Sequence, residues 1–114
     1  MNNVFDLVAD FYGQDEEWNS VLRRSYVENF LRTKSWQGAD DKELTEAWDY
    51  ITLLCIYLGN SENFLGDMSK DDFIDCIAWC GRNVADFNLT DKKVAKFLDV
   101  MDELYTHLHH KKII

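Results

Sequence analysis

Proline is absent from all 114 residues and glycine occurs only five times. Nothing in the chain therefore fixes φ or withdraws a backbone donor in the way proline does, and long helices meet no built-in breaker. Low-complexity and repeat classes are excluded as well, because no tract of biased composition and no internal period occurs. Cysteine is scarce: Cys55, Cys76 and Cys80 are the three. Their odd number and their position inside apolar segments argue against a closed disulfide framework and for core packing in a reducing, cytoplasmic setting. No apolar stretch approaches the ~18 residues of a membrane span. Met1-Asn2-Asn3-Val4 also lacks the basic start and apolar run of a signal peptide. The expectation is a soluble, unprocessed chain.

Positive charge is in short supply too. Twelve Lys and Arg stand against 21 Asp and Glu, for a net charge of −9. A surface of that sign is repelled by nucleic acid and by anionic membranes and draws basic proteins, so neither nucleic acid nor membrane is expected as a partner. The charge is unevenly placed. Residues 1–91 hold 18 acids and 7 bases, whereas residues 92–114 hold 3 acids and 5 bases.

What the chain has in abundance is apolar residues at helical spacing. They make up 46% of the sequence, enough for one domain over residues 1–114 to bury its own core without staples. The pattern predicts five helices and an all-α fold, a single bundle of four long helices with a short N-terminal one. The first runs from about Asn3 to Tyr12 on the stripe Val4, Leu7, Val8 and Phe11, and Gly13 ends it as a left-handed cap. The second is placed from Asp15 to Lys34, opening on Asp15-Glu16-Glu17 and burying Trp18, Val21, Leu22, Phe30 and Leu31. Asp40 caps a third whose inner face is Leu44, Ala47, Trp48, Ile51, Leu54, Cys55 and Leu58, stopped by Gly59-Asn60. Its further apolar coverage marks it as the centre of the bundle. Ser69 caps the fourth, with Met68 and Phe73 at the staple positions, and Thr90 caps the fifth, with Leu89 and Val94 in the same roles. The segment from Gly59 to Asp67 is the longest connection, and Phe64-Leu65 is expected to fold back onto the core.

Groups able to do chemistry are sparse. Glu103, His107 and His110 lie at i, i+4 and i+7 on one helix face, a spacing that permits a shared divalent ion, although no fourth ligand is identifiable and the helix dipole alone favours histidine in a last turn. Cys76 and Cys80 share a helix face and meet Cys55 if the third and fourth helices pack, but without a histidine they make a poor zinc site. Glu43, Glu46 and Asp49 step along the outer face of the third helix, and Asp71, Asp72 and Asp75 crowd the start of the fourth. Solvated acids of this kind serve solubility and recognition rather than acid–base catalysis. Lys92, Lys93 and Lys96 oppose the dipole at the start of the fifth helix, with Asp91 and acids of neighbouring helices expected to neutralise them. Trp36 sits in the polar stretch Thr33 to Gly38, read as a loop, where its ring is either a lid over the core or an anchor for a partner.

The stretch from Met68 to Ile114 resembles the helical core-binding domain of tyrosine recombinases in its two caps, apolar stripe and basic tail. Those domains are basic because they clamp DNA, and this chain is acidic, so no family is assigned from the likeness. The reading that results is a non-enzymatic protein without cofactor that binds a basic protein partner, as an inhibitor, immunity-type neutraliser or adaptor. Its expected contact residues are Trp36, Glu43, Glu46, Asp49, Asp71, Asp72 and Asp75. The alternatives are a ligand- or metal-binding bundle and an oligomeric structural module, which leaves homo-oligomerisation open.

Overall fold

Among the described residues, four of five α-helices begin where a polar side chain closes the first turn. The computed structural model describes residues 3–13, 22–60 and 65–114. Helix α1 (Val4–Tyr12) starts at a capping box between Asn3 and Asp6. In α3 (Asp41–Gly59) the Asp40 carboxylate accepts from the Glu43 amide at 2.8 Å. In α4 (Lys70–Asn83) Ser69 and Asp72 form a second capping box, and in α5 (Asp91–His110) Thr90 accepts from the Lys93 amide. Each device satisfies an amide that the helical ladder leaves without a partner. Helix α2 (Arg24–Trp36) has no such side-chain cap.

That helix is shorter at its start than the apolar spacing predicts. Leu22 and Arg23 are not helical, and Arg23 is extended, with φ −70° and ψ 150°. The cause is visible at Leu22: its carbonyl, buried, accepts from the Tyr12 hydroxyl at 2.5 Å. Asp15 to Val21, placed in the same helix by sequence, lie outside the described residues, as does Phe64. At its other end α2 runs through Lys34 to Trp36, and the chain then reverses at Gly38, whose φ of 102° suits glycine alone. Gly13 likewise takes a positive φ of 61°, but its ψ of −149° lies outside the left-handed helical region that the sequence suggested.

Helix α3 packs against each of the other four, which makes it the centre of the bundle. Leu44, Ala47, Trp48, Tyr50, Ile51, Leu53, Leu54, Cys55 and Leu58 are all buried on it. Trp48 meets the rings of Phe11 and Tyr12 from α1, at 5.2 and 6.4 Å between centroids. On the opposite side Tyr50, Phe97, Phe73 and Tyr105 form a chain of edge-to-face rings through α3, α5 and α4. The Tyr105 hydroxyl then donates to the Leu65 carbonyl at 2.5 Å, fastening the 3-10 turn Leu65–Asp67 to the bundle.

All three cysteines are fully buried thiols. The Cys80 thiol points to the Leu53 carbonyl at 3.6 Å, and Cys55 lies 3.7 Å from the Tyr12 hydroxyl. A hydrogen bond with Cys80, together with burial, pushes the Cys76 thiol well above its ordinary pKa, so it stays protonated and behaves as a small apolar group. No strand occurs among the described residues.

Candidate functional site

Residues 99, 102, 103 and 106 recur at three- and four-residue steps along α5, so they share the face opposite Phe97, Met101, Leu104 and Leu108, which are fully buried. The outer face of α5 is therefore an acidic ridge carrying Asp99, Asp102 and Glu103. Between this ridge and the end of α2 with the start of α3 lies a cleft of about 560 Å³, bordered by Lys34, Glu43, Asp102, Glu103 and Thr106. It continues between α3 and α5 into a groove bordered by Glu46, Lys96 and Asp99 as well.

Two ion pairs cross this surface. Lys34 on α2 reaches Glu103 at 2.5 Å, and Lys96 on α5 reaches Glu46 on α3 at 2.8 Å. The pairing raises the Lys96 pKa, through the hydrogen bond to Glu46 first and its charge second. Lys96–Glu46 is open to solvent and contributes little to stability, whereas Lys34 is partly covered. The consequence of the two pairs is electrostatic: both bases of the groove are already neutralised. Among the described residues no hydrogen bond or ion pair engages the side chains of Glu43, Asp99 and Asp102. These three carboxylates carry the uncompensated charge of the groove.

The sequence-predicted contact residues separate in space. Glu43 and Glu46 come together in the groove, and Glu46 is spent on Lys96. Asp49 lies beyond it, in a recess with Tyr50, Phe87 and Lys93, where burial and then the charge of Glu46 raise its pKa. Asp72 is committed to the cap of α4, and its hydrogen bonds from the Ser69 backbone and hydroxyl lower its pKa. Asp71 and Asp75 are exposed on α4. Trp36 is neither in a loop nor a lid: it is the last residue of α2 and its ring is 80% exposed. Lys34 and Gln37 border the cleft but Trp36 does not, so its open indole stands beside the cleft rather than in it.

Spacing on α5 was sufficient to find Asp99 and Asp102, which sequence reasoning passed over because the C-terminal segment as a whole is basic. Of the basic cluster Lys92, Lys93 and Lys96, an acid neutralises only Lys96 among the described residues. Lys96 pairs with Glu46 on a neighbouring helix, as expected, whereas Lys93 donates to the Asn88 carbonyl at 2.8 Å and lies over the Phe87 ring.

Glu103, His107 and His110 share a helix but not a site. Glu103 turns to Lys34, His110 is exposed, and His107 is buried edge-on to the Phe30 ring at 5.6 Å. Among the described residues no three His, Cys, Asp or Glu side chains are disposed to hold a metal ion. The His107 Nε2 is buried without a hydrogen-bond partner. Burial, then the charges of Lys111 and His110, lower its pKa from 6.5. A histidine whose folded pKa is depressed contributes stability that is complete above the unfolded value and is lost as pH falls through the folded one. Thermal melts should therefore show a midpoint that drops from pH 7 towards pH 5, with a shallower drop in His107→Leu. Equal slopes in the two proteins would remove His107 as the cause.

Among the described residues no helix is long and apolar enough to cross a membrane. Comparison with protein-family models, with curated proteins and with solved structures finds no match to this chain.

Proposed function

We propose that the protein is a non-enzymatic binding module whose acidic groove receives a basic protein partner, in the manner of an inhibitor, immunity-type neutraliser or adaptor. The observation that supports this reading is the set Glu43, Asp99 and Asp102, three unpaired carboxylates on one groove, and the exposed Trp36 stands beside it at the end of α2. Long-range attraction to such a surface raises the rate of encounter, and a tryptophan at its edge slows dissociation once the partner has docked.

The test uses the whole chain as bait in its native cell extract, beside a variant carrying Glu43→Lys, Asp99→Lys and Asp102→Lys. A basic protein retained by the parent and lost from the variant is the expected result. With that protein purified, association should slow by about tenfold or more in the variant and in high salt, with dissociation little changed. Trp36→Ala should instead speed dissociation. An association rate indifferent both to salt and to the three reversals would overturn the proposal.

A further inference from the structure

We infer that the outer groove between α4 and α5 docks an amphipathic helix of that partner, one whose apolar residue is flanked by lysine or arginine. The inference rests on the basic-partner reading and adds a second, differently built surface to it. Helices α4 and α5 run antiparallel: Phe73 near the start of α4 meets Tyr105 near the end of α5, and Leu89 before α5 lies against Gly81 near the end of α4. Both pack inward on α3, and α2 also packs on α5. Their other flanks meet in a groove of about 560 Å³.

The floor of this groove is Phe73, Ala95 and Leu98, and its rim is Lys70, Asp99 and Asp102. Ile74 and Leu89, exposed to 40% and 43%, are two of the three large apolar side chains that the described residues leave most open, and both belong to this hairpin. The third is Trp36. An apolar floor between two helices is the seat that a third helix takes, with its apolar side chains at three- and four-residue steps lying in the groove. The groove's lining runs from Ala95 to Asp102 on α5, about 12 Å, room for roughly two turns of a docked helix.

Charge decides the occupant. Asp99 and Asp102 stand unpaired on the α5 lip, against the single base Lys70, and Asp71 and Asp75 are exposed on α4. A second copy of this chain, itself at −9, would bring acid against acid, whereas a helix with basic residues beside its apolar anchor meets an opposite charge. Asp99 and Asp102 border this groove and the α3 side alike, so one ridge serves both surfaces.

Two synthetic 14-residue peptides of equal charge test the inference, one a Leu/Lys amphipathic helix and one a Lys/Ser chain without leucine. Binding to the full-length protein is followed by fluorescence anisotropy and by amide shifts of the ¹⁵N-labelled chain. The Leu/Lys peptide should bind at least tenfold more tightly and shift Phe73, Ala95 and Leu98. Leu98→Gln, which removes an apolar side chain from the floor, and Ala95→Gln, which fills the groove from an exposed position, should each weaken the Leu/Lys peptide by fivefold or more and leave the Lys/Ser peptide unchanged. Equal binding of the two peptides, shifts confined to the Lys34 and Glu43 side, or indifference to both variants would overturn the inference while leaving the basic-partner reading standing. Absence of salt-sensitive binding by either peptide would overturn both.

Discussion

Replacing Trp48 by alanine should lower the thermal midpoint by on the order of 15 °C, because a large buried ring is removed from the joint between α1 and the central helix. Trp48 is 4% exposed and is the α3 side chain on which both Phe11 and Tyr12 rest. Truncating such a residue costs about 3–5 kcal/mol, a large share of the 5–15 kcal/mol that holds a small domain together. The loss should extend beyond α1. Tyr12 holds the Leu22 carbonyl ahead of α2, so a ring that loses its backing also loosens the entry to the next helix. Trp36→Ala serves as the matched control, since an indole that covers no core should change stability by no more than about 0.5 kcal/mol. Circular dichroism melts and denaturant titrations of the two variants read the contrast. A Trp48→Ala midpoint within a few degrees of the parent would mean that α1 is fastened elsewhere.

The same tryptophans show how far the sequence could be read. Trp48 falls on a stripe of seven apolar residues after an acidic cap, and local periodicity alone places it inside. Trp36 stands among polar residues, and the apolar spacing of its helix ends before the true stop at Gly38, across which the Gly38 and Ala39 amides return to the Ser35 and Lys34 carbonyls, so a reading by periodicity closes the helix a turn early. The caps at Asn3, Asp40, Ser69 and Thr90 are short-range devices, three residues from donor to acceptor, and short range is what a sequence displays. The start of α2 depends instead on a hydrogen bond between Tyr12 and Leu22, ten residues apart and formed only when both are buried. No periodic pattern records it. The acidic groove is hidden for a related reason. Its charge depends on which carboxylates are already paired, and Lys34 finds Glu103 across 69 residues. Counting charges by segment made the C-terminal part basic, although on the folded surface α5 turns Asp99, Asp102 and Glu103 to one side.

Phe97→Ala should be about as damaging as Trp48→Ala, at about 3–5 kcal/mol, and should act on the other half of the molecule. Phe97 is fully buried and meets Tyr50 of α3 at 6.2 Å and Phe73 of α4 at 6.5 Å, while Phe73 in turn meets Tyr105 at 4.8 Å. Without the central ring, α4 loses the aromatic link to α3 that runs through α5 but keeps the direct Tyr57–Trp79 contact at 5.7 Å, and Phe73 can sink towards the space left behind. Hydrogen exchange should then report lost protection in α4 at native conditions before it does so in α1, because a local opening of the hairpin needs less free energy than global unfolding. Phe97→Leu, which refills part of the volume, should recover most of the protection and part of the midpoint. If α1 and α4 lose protection equally and only through global unfolding, the ring chain is not what separates the two halves. Because Phe73 is also the floor of the outer groove, Phe97→Ala should weaken the Leu/Lys peptide below the unfolding transition, with Trp48→Ala leaving that affinity near the parent's. Equal weakening in both would assign the effect to lost stability rather than to the shape of the groove.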